Sequence, residues 1–133
     1  MKILIDTNVI LDTFLKREPH NKYSDAIFDL ISDNVIISYI NTSSVTDIYY
    51  VLRKKFSDIE SREKIRTLLN LFQAIEVTKS DCLVALNLLI SDFEDAIVVV
   101  CADRENLDFI ITRDVEFLEH QKAISPKDFL EKI

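Results

Sequence analysis

The 133 residues, 48% hydrophobic and 29% charged, have the size and composition of one compact domain, 1–133, able to bury a core without disulfides or a structural metal. A net charge of −7 argues against broad attachment to nucleic acid through a basic surface, and no apolar stretch is long enough to span a bilayer. Glycine is absent where average usage near 7% would give about nine, which removes the glycine-rich phosphate loop, the dinucleotide fingerprint and the usual calcium loop.

Lys2–Ile5 reads as a first strand, and Asp6 breaks that apolar run too early for a signal peptide. A short helix follows, carrying Val9, Ile10, Phe14 and Leu15. Pro19 introduces a second helix over about His20–Ser32, with Tyr23, Ile27, Leu30 and Ile31 on one face. Val35–Tyr39 reads as a strand, and Asn41 or Thr42 can cap a third helix running to about Phe56. Ser57 or Asp58 caps a fourth, burying Ile65, Leu68, Leu69 and Phe72. Ile75–Thr78 is a short strand, and Ser80 opens a helix to about Ile90.

Ile97–Cys101 suits a buried strand or a buried helix by composition. Asp92 and Asp95 have the spacing of an acidic capping box, and the run continues through Ala102 and Arg104, which favours a helix with Asp95 at its positive end. Phe109–Thr112 is the next strand, and Ser125-Pro126-Lys127-Asp128 is a helix start. Strands separated by helices imply an α/β fold: a central parallel sheet with helices on both faces, in three α/β/α layers. Tight turns must use Asn, Asp and Ser. Cys82 and Cys101 lie in apolar surroundings without metal-ligand spacing and read as reduced, in keeping with a cytoplasmic location.

Four acids stand where apolar runs end or helices begin: Asp6, Asp47, Asp95 and Asp114. Each alone has a plain explanation as a cap, a dipole partner or a solvated residue. Together they have a common one. Ligands of an open parallel sheet gather beyond the carboxyl ends of its strands, and hard cations take carboxylates and water. Glu94 and Asp92 read as supporting or capping groups, since three acids in four residues cannot all point inward from one helix start. Asp12 reads as solvent-facing, and His20 and His120 as surface histidines without a catalytic partner. Tyr49, Tyr50 and Phe56 share the Asp47 helix, where one tyrosine is free to stack on a base. Arg53, Lys54, Lys55 and Arg113 are the candidates for phosphate contact.

Read in order, LIDTNVILD, the Ser/Thr-rich helix start TSSVTDIYYVLRKK, DFEDAI and IITRD resemble the four motif blocks of the PIN domain family, over essentially the whole chain. The resemblance implies a small α/β/α endoribonuclease dependent on Mg2+ or Mn2+, with acidic-site roles for Asp6, Asp47, Asp95 and Asp114 and support from Asn8 and Thr112. It further implies the VapC-type toxin of a toxin–antitoxin pair, with RNA as substrate, an antitoxin protein as partner and dimerisation with a second copy. Asp47 stands where the family often has Glu, and its shorter arm would either shift the metal or favour a water-bridged contact. One alternative is a catalytically silent PIN-like module that binds RNA or protein. The other is an aspartyl-phosphate phosphotransfer domain using Asp6, although the Asp-x-Asp-x-Thr pattern is missing and Arg113 stands where a receiver would use lysine.

Overall fold

Five short runs, β1 (Lys2–Ile5), β2 (Ile37–Asn41), β3 (Gln73–Ile75), β4 (Phe109–Ile111) and β5 (Ala123–Ile124), form a wholly parallel sheet in the order β3-β2-β1-β4-β5, in a computed structural model describing residues 1–133. Seven α-helices connect and cover it: α1 (Thr7–Phe14), α2 (Asn21–Ser32), α3 (Val45–Arg53), α4 (Asp58–Leu71), α5 (Lys79–Ala85), α6 (Phe93–Arg104) and α7 (Pro126–Lys132). Both faces of a parallel sheet are buried, so its inner strands are mostly apolar on both sides, with Lys2 at the exposed start of β1 and Ser38 and Asn41 buried in β2. Ile3, Ile5, Ile40 and Ile111 pack one way, against Val9, Ile10, Ile27, Ile48, Leu52, Leu68 and Phe129 of the flanking helices. Leu4 and Ile110 pack the other way, against Val98, Val99, Cys101 and Ala102 of α6. No helix is long and apolar enough to cross a membrane.

The ambiguous Ile97–Cys101 run is helical, inside α6. Its apolar character on all sides follows from its position: one side meets the sheet, and Ala96 and Val100 meet Ala85 of α5. A bidentate ion pair fixes that position. Arg104 donates to Asp81 from Nε at 3.0 Å and from Nη2 at 2.9 Å, and the guanidinium holds the Asp81 carboxyl down at about 2. Asp81 also closes a reciprocal capping box with Thr78.

Several boundaries differ from expectation, each for a local reason. β2 starts at Ile37 rather than Val35 because Val35 is used to close α2, its N–H donating to Leu30 O at 2.9 Å. Neither Asn41 nor Thr42 caps a long third helix. Asn41 ends β2 with its side chain buried, Thr42–Ser44 is a 3-10 turn, and α3 begins only at Val45. β3 covers Gln73–Ile75 rather than Ile75–Thr78, since Thr78 serves as the α5 cap. α5 stops at Ala85, short of Ile90: Leu88 and Ile90 both pack on the α6 layer, which residues two apart on one helix cannot do. Leu69 is 43% exposed instead of buried, lying in a groove between α3 and α4. β5, two residues long, gave no periodic signal.

Without glycine, the chain ends three helices on left-handed Lys16, Asn34 and Asn106, with φ of 53°, 58° and 53°. Each is followed by a residue that donates back across the helix end, Arg17 to Asp12 O, Val35 to Leu30 O and Leu107 to Ala102 O, satisfying carbonyls that would otherwise be unpaired. Asparagine tolerates this conformation better than lysine does, because its short polar arm can bond locally. Lys16→Gly is therefore expected to raise the unfolding free energy by about 0.5–1 kcal/mol in denaturant melts.

Candidate active site

The strand order reverses between β1 and β4, so the chain leaves their carboxyl ends in opposite directions and opens a crevice there. Register pairs Ile5 with Ile111 and brings Asp6 beside Thr112. Asp6 N–H donates to Ile111 O at 2.9 Å, and Asp6 then caps α1, accepting from Thr7 N–H at 2.9 Å. Buried Thr112 joins the two strand ends. Its Oγ1 donates to Asp6 Oδ2 at 2.8 Å and accepts from Asp114 N–H at 3.1 Å. Asn8 Nδ2 reaches Asp6 Oδ2 at 3.5 Å, while its Oδ1 accepts from Arg113 N–H at 3.4 Å. Asp114 Oδ1 accepts from Glu116 N–H at 3.0 Å.

The start of α6 faces this edge. Asp92 is its N-cap, accepting from Asp95 N–H at 3.0 Å, and Glu94 and Asp95 lie in the first turn. A helix N-terminus favours anions by roughly 0.3–1 kcal/mol, so Asp95 would ionise easily if nothing opposed it. Opposition wins. Burial first, then the charges of Asp92, Asp6, Asp114 and Glu94, push the Asp95 carboxyl up to about 7. Asp6 is also raised, by burial and then by Asp114 and Asp92, against the lowering effect of its bonds from Thr112 and Thr7. Glu94 is raised by burial and then by Asp47, Asp6 and Asp92.

Asp6, Asp92, Glu94, Asp95 and Asp114 thus form one electrostatic group, and exposed Asp47, in the first turn of α3, acts on it through Glu94. Asp92 belongs to the group because, as an N-cap with extended backbone, it escapes the helical spacing that would have turned it away. No three of the carboxylates stand close enough to hold one ion directly between them. The donor set is nonetheless suited to a hard, hydrated cation: all oxygen, mutually repelling, and short of positive charge. Asn41 adds a further sign. By the pairing of Leu4 with Tyr39, it ends β2 beside Asp6 and on the same face, buried with neither side-chain polar atom bonded. Such an amide calls for water in the crevice.

Other expected site residues lie elsewhere. Asp12 is not solvent-facing but wholly buried, gripping Arg113 through Nε at 2.6 Å and Nη2 at 2.9 Å. Val9 and Asp12, three apart on α1, share the buried face, a spacing that could have indicated it. Arg113 is therefore occupied by Asp12, and the pair anchors the segment between Thr112 and Asp114. Arg53 donates to Phe56 O at 3.0 Å, closing α3, with exposed Lys54 beside it; they lie about 9–10 Å along the helix axis from Asp47. Tyr49 and Tyr50 line the α3–α4 groove with Arg62 and Ile65, and Tyr49 bonds Asp58, so neither faces the carboxylates. His20 sits at the N-cap of α2 without a capping bond, whereas His120 lies across a cavity from Asp95.

Residues 2–116 match the PIN domain profile, and the chain belongs to that family. It is 26% identical to Ribonuclease VapC1 of Aquifex aeolicus (strain VF5) over 137 residues, 98% of this chain and 94% of that one. Among solved structures, it resembles a toxin–antitoxin complex from Klebsiella pneumoniae, with a TM-score of 0.72 and 18% identity over 93% of this chain and 97% of that one. It also resembles Mycobacterium tuberculosis VapC20, a Sarcin-Ricin loop cleaving toxin, with a TM-score of 0.71 and 11% identity over 88% and 93%. Both likenesses bear on the fold.

Two outcomes follow from the geometry. Asp12→Ala should lower the unfolding free energy by about 3 kcal/mol in denaturant melts, since it strands a partly buried guanidinium. Asp95 behaves in the opposite sense. Its proton affinity is higher folded, about 7, than at the ordinary 3.8, so its contribution to stability falls as pH rises from about 4 through 7. In EDTA, Asp95→Asn should raise the melting temperature at pH 8 by about 4 °C, what about 1 kcal/mol gives in a small domain, with the gain vanishing near pH 4.

Proposed function

We propose that the protein is a divalent-metal-dependent endoribonuclease, the toxin of a toxin–antitoxin pair, acting in the cytoplasm. The observation that carries this reading is the unneutralised carboxylate group at the β1–β4 crevice, with the Asp95 carboxyl raised to about 7. Family membership and the likeness to Ribonuclease VapC1 supply the reaction class and favour hydrolysis over the aspartyl-phosphate alternative.

Asp6, Asp95 and Asp114, with Asp47 and Glu94 at the rim, would hold Mg2+ or Mn2+ largely through water. Bound there, the ion supplies Lewis acidity, stabilising charge on the scissile phosphate and acidifying the attacking water. The chain's own residues set the geometry. Thr112 and Asn8 fix the Asp6 carboxylate, Asp92 fixes the α6 terminus, and the Asp12–Arg113 pair fixes the segment carrying Asp114. Arg53 and Lys54 are the exposed cations on α3 available to the RNA backbone. The partners in this reading are RNA, an antitoxin protein and a second copy of the chain. Toxin–antitoxin complexes among the similar folds support a protein partner, and the α3–α4 groove, with Val45, Tyr50, Ile65 and Leu69, offers it an apolar surface.

Asp6→Asn and Asp95→Asn should each keep the fold and lower Mg2+-dependent RNA cleavage by at least about a hundredfold. Arg53→Ala should chiefly weaken RNA binding and flatten its salt dependence. Cleavage measured alongside metal binding on folded variants checks both. Wild-type cleavage that persists in EDTA, or full activity in both aspartate variants, would overturn the catalytic assignment, and absence of any metal-dependent cleavage would favour the silent-module alternative.

A further inference from the structure

Next to the carboxylate group is a cavity of about 580 Å³ whose wall includes Asp95. The link between α5 and α6 forms one side through Leu89 and Ile90, and the connection from β4 to β5 forms the other through Glu116, Phe117, Glu119 and His120. Phe117, 3% exposed, is held in the core behind the cavity, whereas Leu89 is fully exposed and would gain a partner if the cavity were filled. The polar lining is set by backbone bonds: His120 N–H donates to Phe117 O at 2.9 Å, Leu118 N–H to Asp114 O at 2.9 Å, and Ala123 N–H to His120 O at 3.0 Å.

That lining has a definite donor and acceptor pattern. His120 Nδ1 accepts the Lys122 N–H at 3.2 Å, so the neutral ring carries its proton on Nε2 and offers a donor. Glu116 and Glu119 take part in none of the chain's ion pairs, and their carboxylates offer acceptors. The cavity therefore combines apolar walls, free carboxylate acceptors and one imidazole donor.

We propose that this cavity is a base subsite that selects guanine in a nucleotide flanking the scissile phosphate. The proposal rests on the ribonuclease reading above, because shared Asp95 puts the phosphate of a seated nucleotide at the carboxylate edge. Guanine presents two neighbouring donors, N1–H and the 2-amino group, which one carboxylate accepts together, and its O6 and N7 accept from an imidazole N–H. Adenine turns a ring nitrogen lone pair toward the carboxylate beside its one amino group. Cytosine also has one amino group beside acceptors, and uracil has one N–H between two carbonyls. Only guanine matches a carboxylate with paired donors. Single-stranded RNA can splay a base into such a site, where Leu89 and Ile90 offer it apolar contact.

The test uses short single-stranded RNAs, identical except for G, A or inosine at each nucleotide flanking the cut, with Mn2+ or Mg2+. Guanine should be cut at least about tenfold faster than adenine at one of these positions, and inosine, lacking the 2-amino group, should lose most of that advantage. Glu119→Gln or Glu116→Gln should bring the G-to-A ratio toward one. A flat base profile, or a ratio unchanged in both variants, overturns the subsite. A second measurement separates this from failure of the nuclease reading. With only 2 histidines in the chain, the His120 ring resonances can be followed by NMR in EDTA as guanosine or adenosine is added, neither of which carries a phosphate for the carboxylates to repel. If no RNA is cut but guanosine shifts His120 and adenosine does not, the nuclease reading falls and the subsite stands. If no RNA is cut and guanosine leaves His120 unmoved, both fall.

Discussion

The hydrogen bond from Thr112 to Asp6 spans 106 residues of sequence, and the crevice depends on it. It forms because β1, the central strand, and its neighbour β4 are paired so that Ile5 meets Ile111 and the next residue of each emerges at the same edge. The same hydroxyl then accepts from Asp114 N–H, so one buried side chain sets where both strand-end acids stand. Asp6 in turn caps α1, and α1 carries Asp12, which grips Arg113 between Thr112 and Asp114. Fold and site are closed into one loop of contacts here. A disturbance at any member is felt at the others, because these bonds share atoms.

The buried and half-buried acids fall into two kinds, and the presence of a cation separates them. Asp12 and Asp81 are buried more deeply than Asp95, yet each has a guanidinium at bonding distance and serves to pin elements together. Asp6 and Asp95 have no such partner, and the charges acting on them are negative. Arg113 is the telling case. It lies in sequence next to Asp114 but turns to Asp12, leaving the carboxylate group uncompensated. Uncompensated charge costs stability, and groups so perturbed cluster at functional sites; the proposed cation would supply the missing positive charge here.

Much of this was legible in the chain. Alternation of apolar runs with amphipathic segments is enough to imply a parallel sheet, and Asp6, Asp95 and Asp114 could be located because each directly follows a strand or starts a helix. The Asp92–Asp95 spacing decided a segment whose composition alone could not, since a buried helix and a buried strand are equally apolar. What escaped was long-range. Asp12 reads as a surface acid until its partner, 101 residues away, is brought beside it. Asn41 looks like a cap until β2 is seen to extend through it, and His120 has no neighbour in sequence that reveals a cavity. Strand limits moved wherever a residue had a second duty, as Val35 does in closing α2 and Thr78 in capping α5.

Asp95 belongs both to the carboxylate group and to the lining of the neighbouring cavity. This couples whatever occupies them. A group filling the cavity removes water from one side of Asp95, which makes its isolated charge still more costly but strengthens its attraction to a cation in proportion to the lowered dielectric. On the proposed reading, a cation at the carboxylates would keep Asp95 ionised and would draw the phosphate attached to a base in the cavity. Each occupant would therefore improve the setting for the other. Neither would be strongly favoured alone: the cation would compete with a proton on Asp95, whose proton affinity burial and neighbouring charges raise, and the nucleotide would face uncompensated negative charge. Occupation of the site would thereby be tied to the arrival of both, with like-charge repulsion among the carboxylates as the source of that coupling.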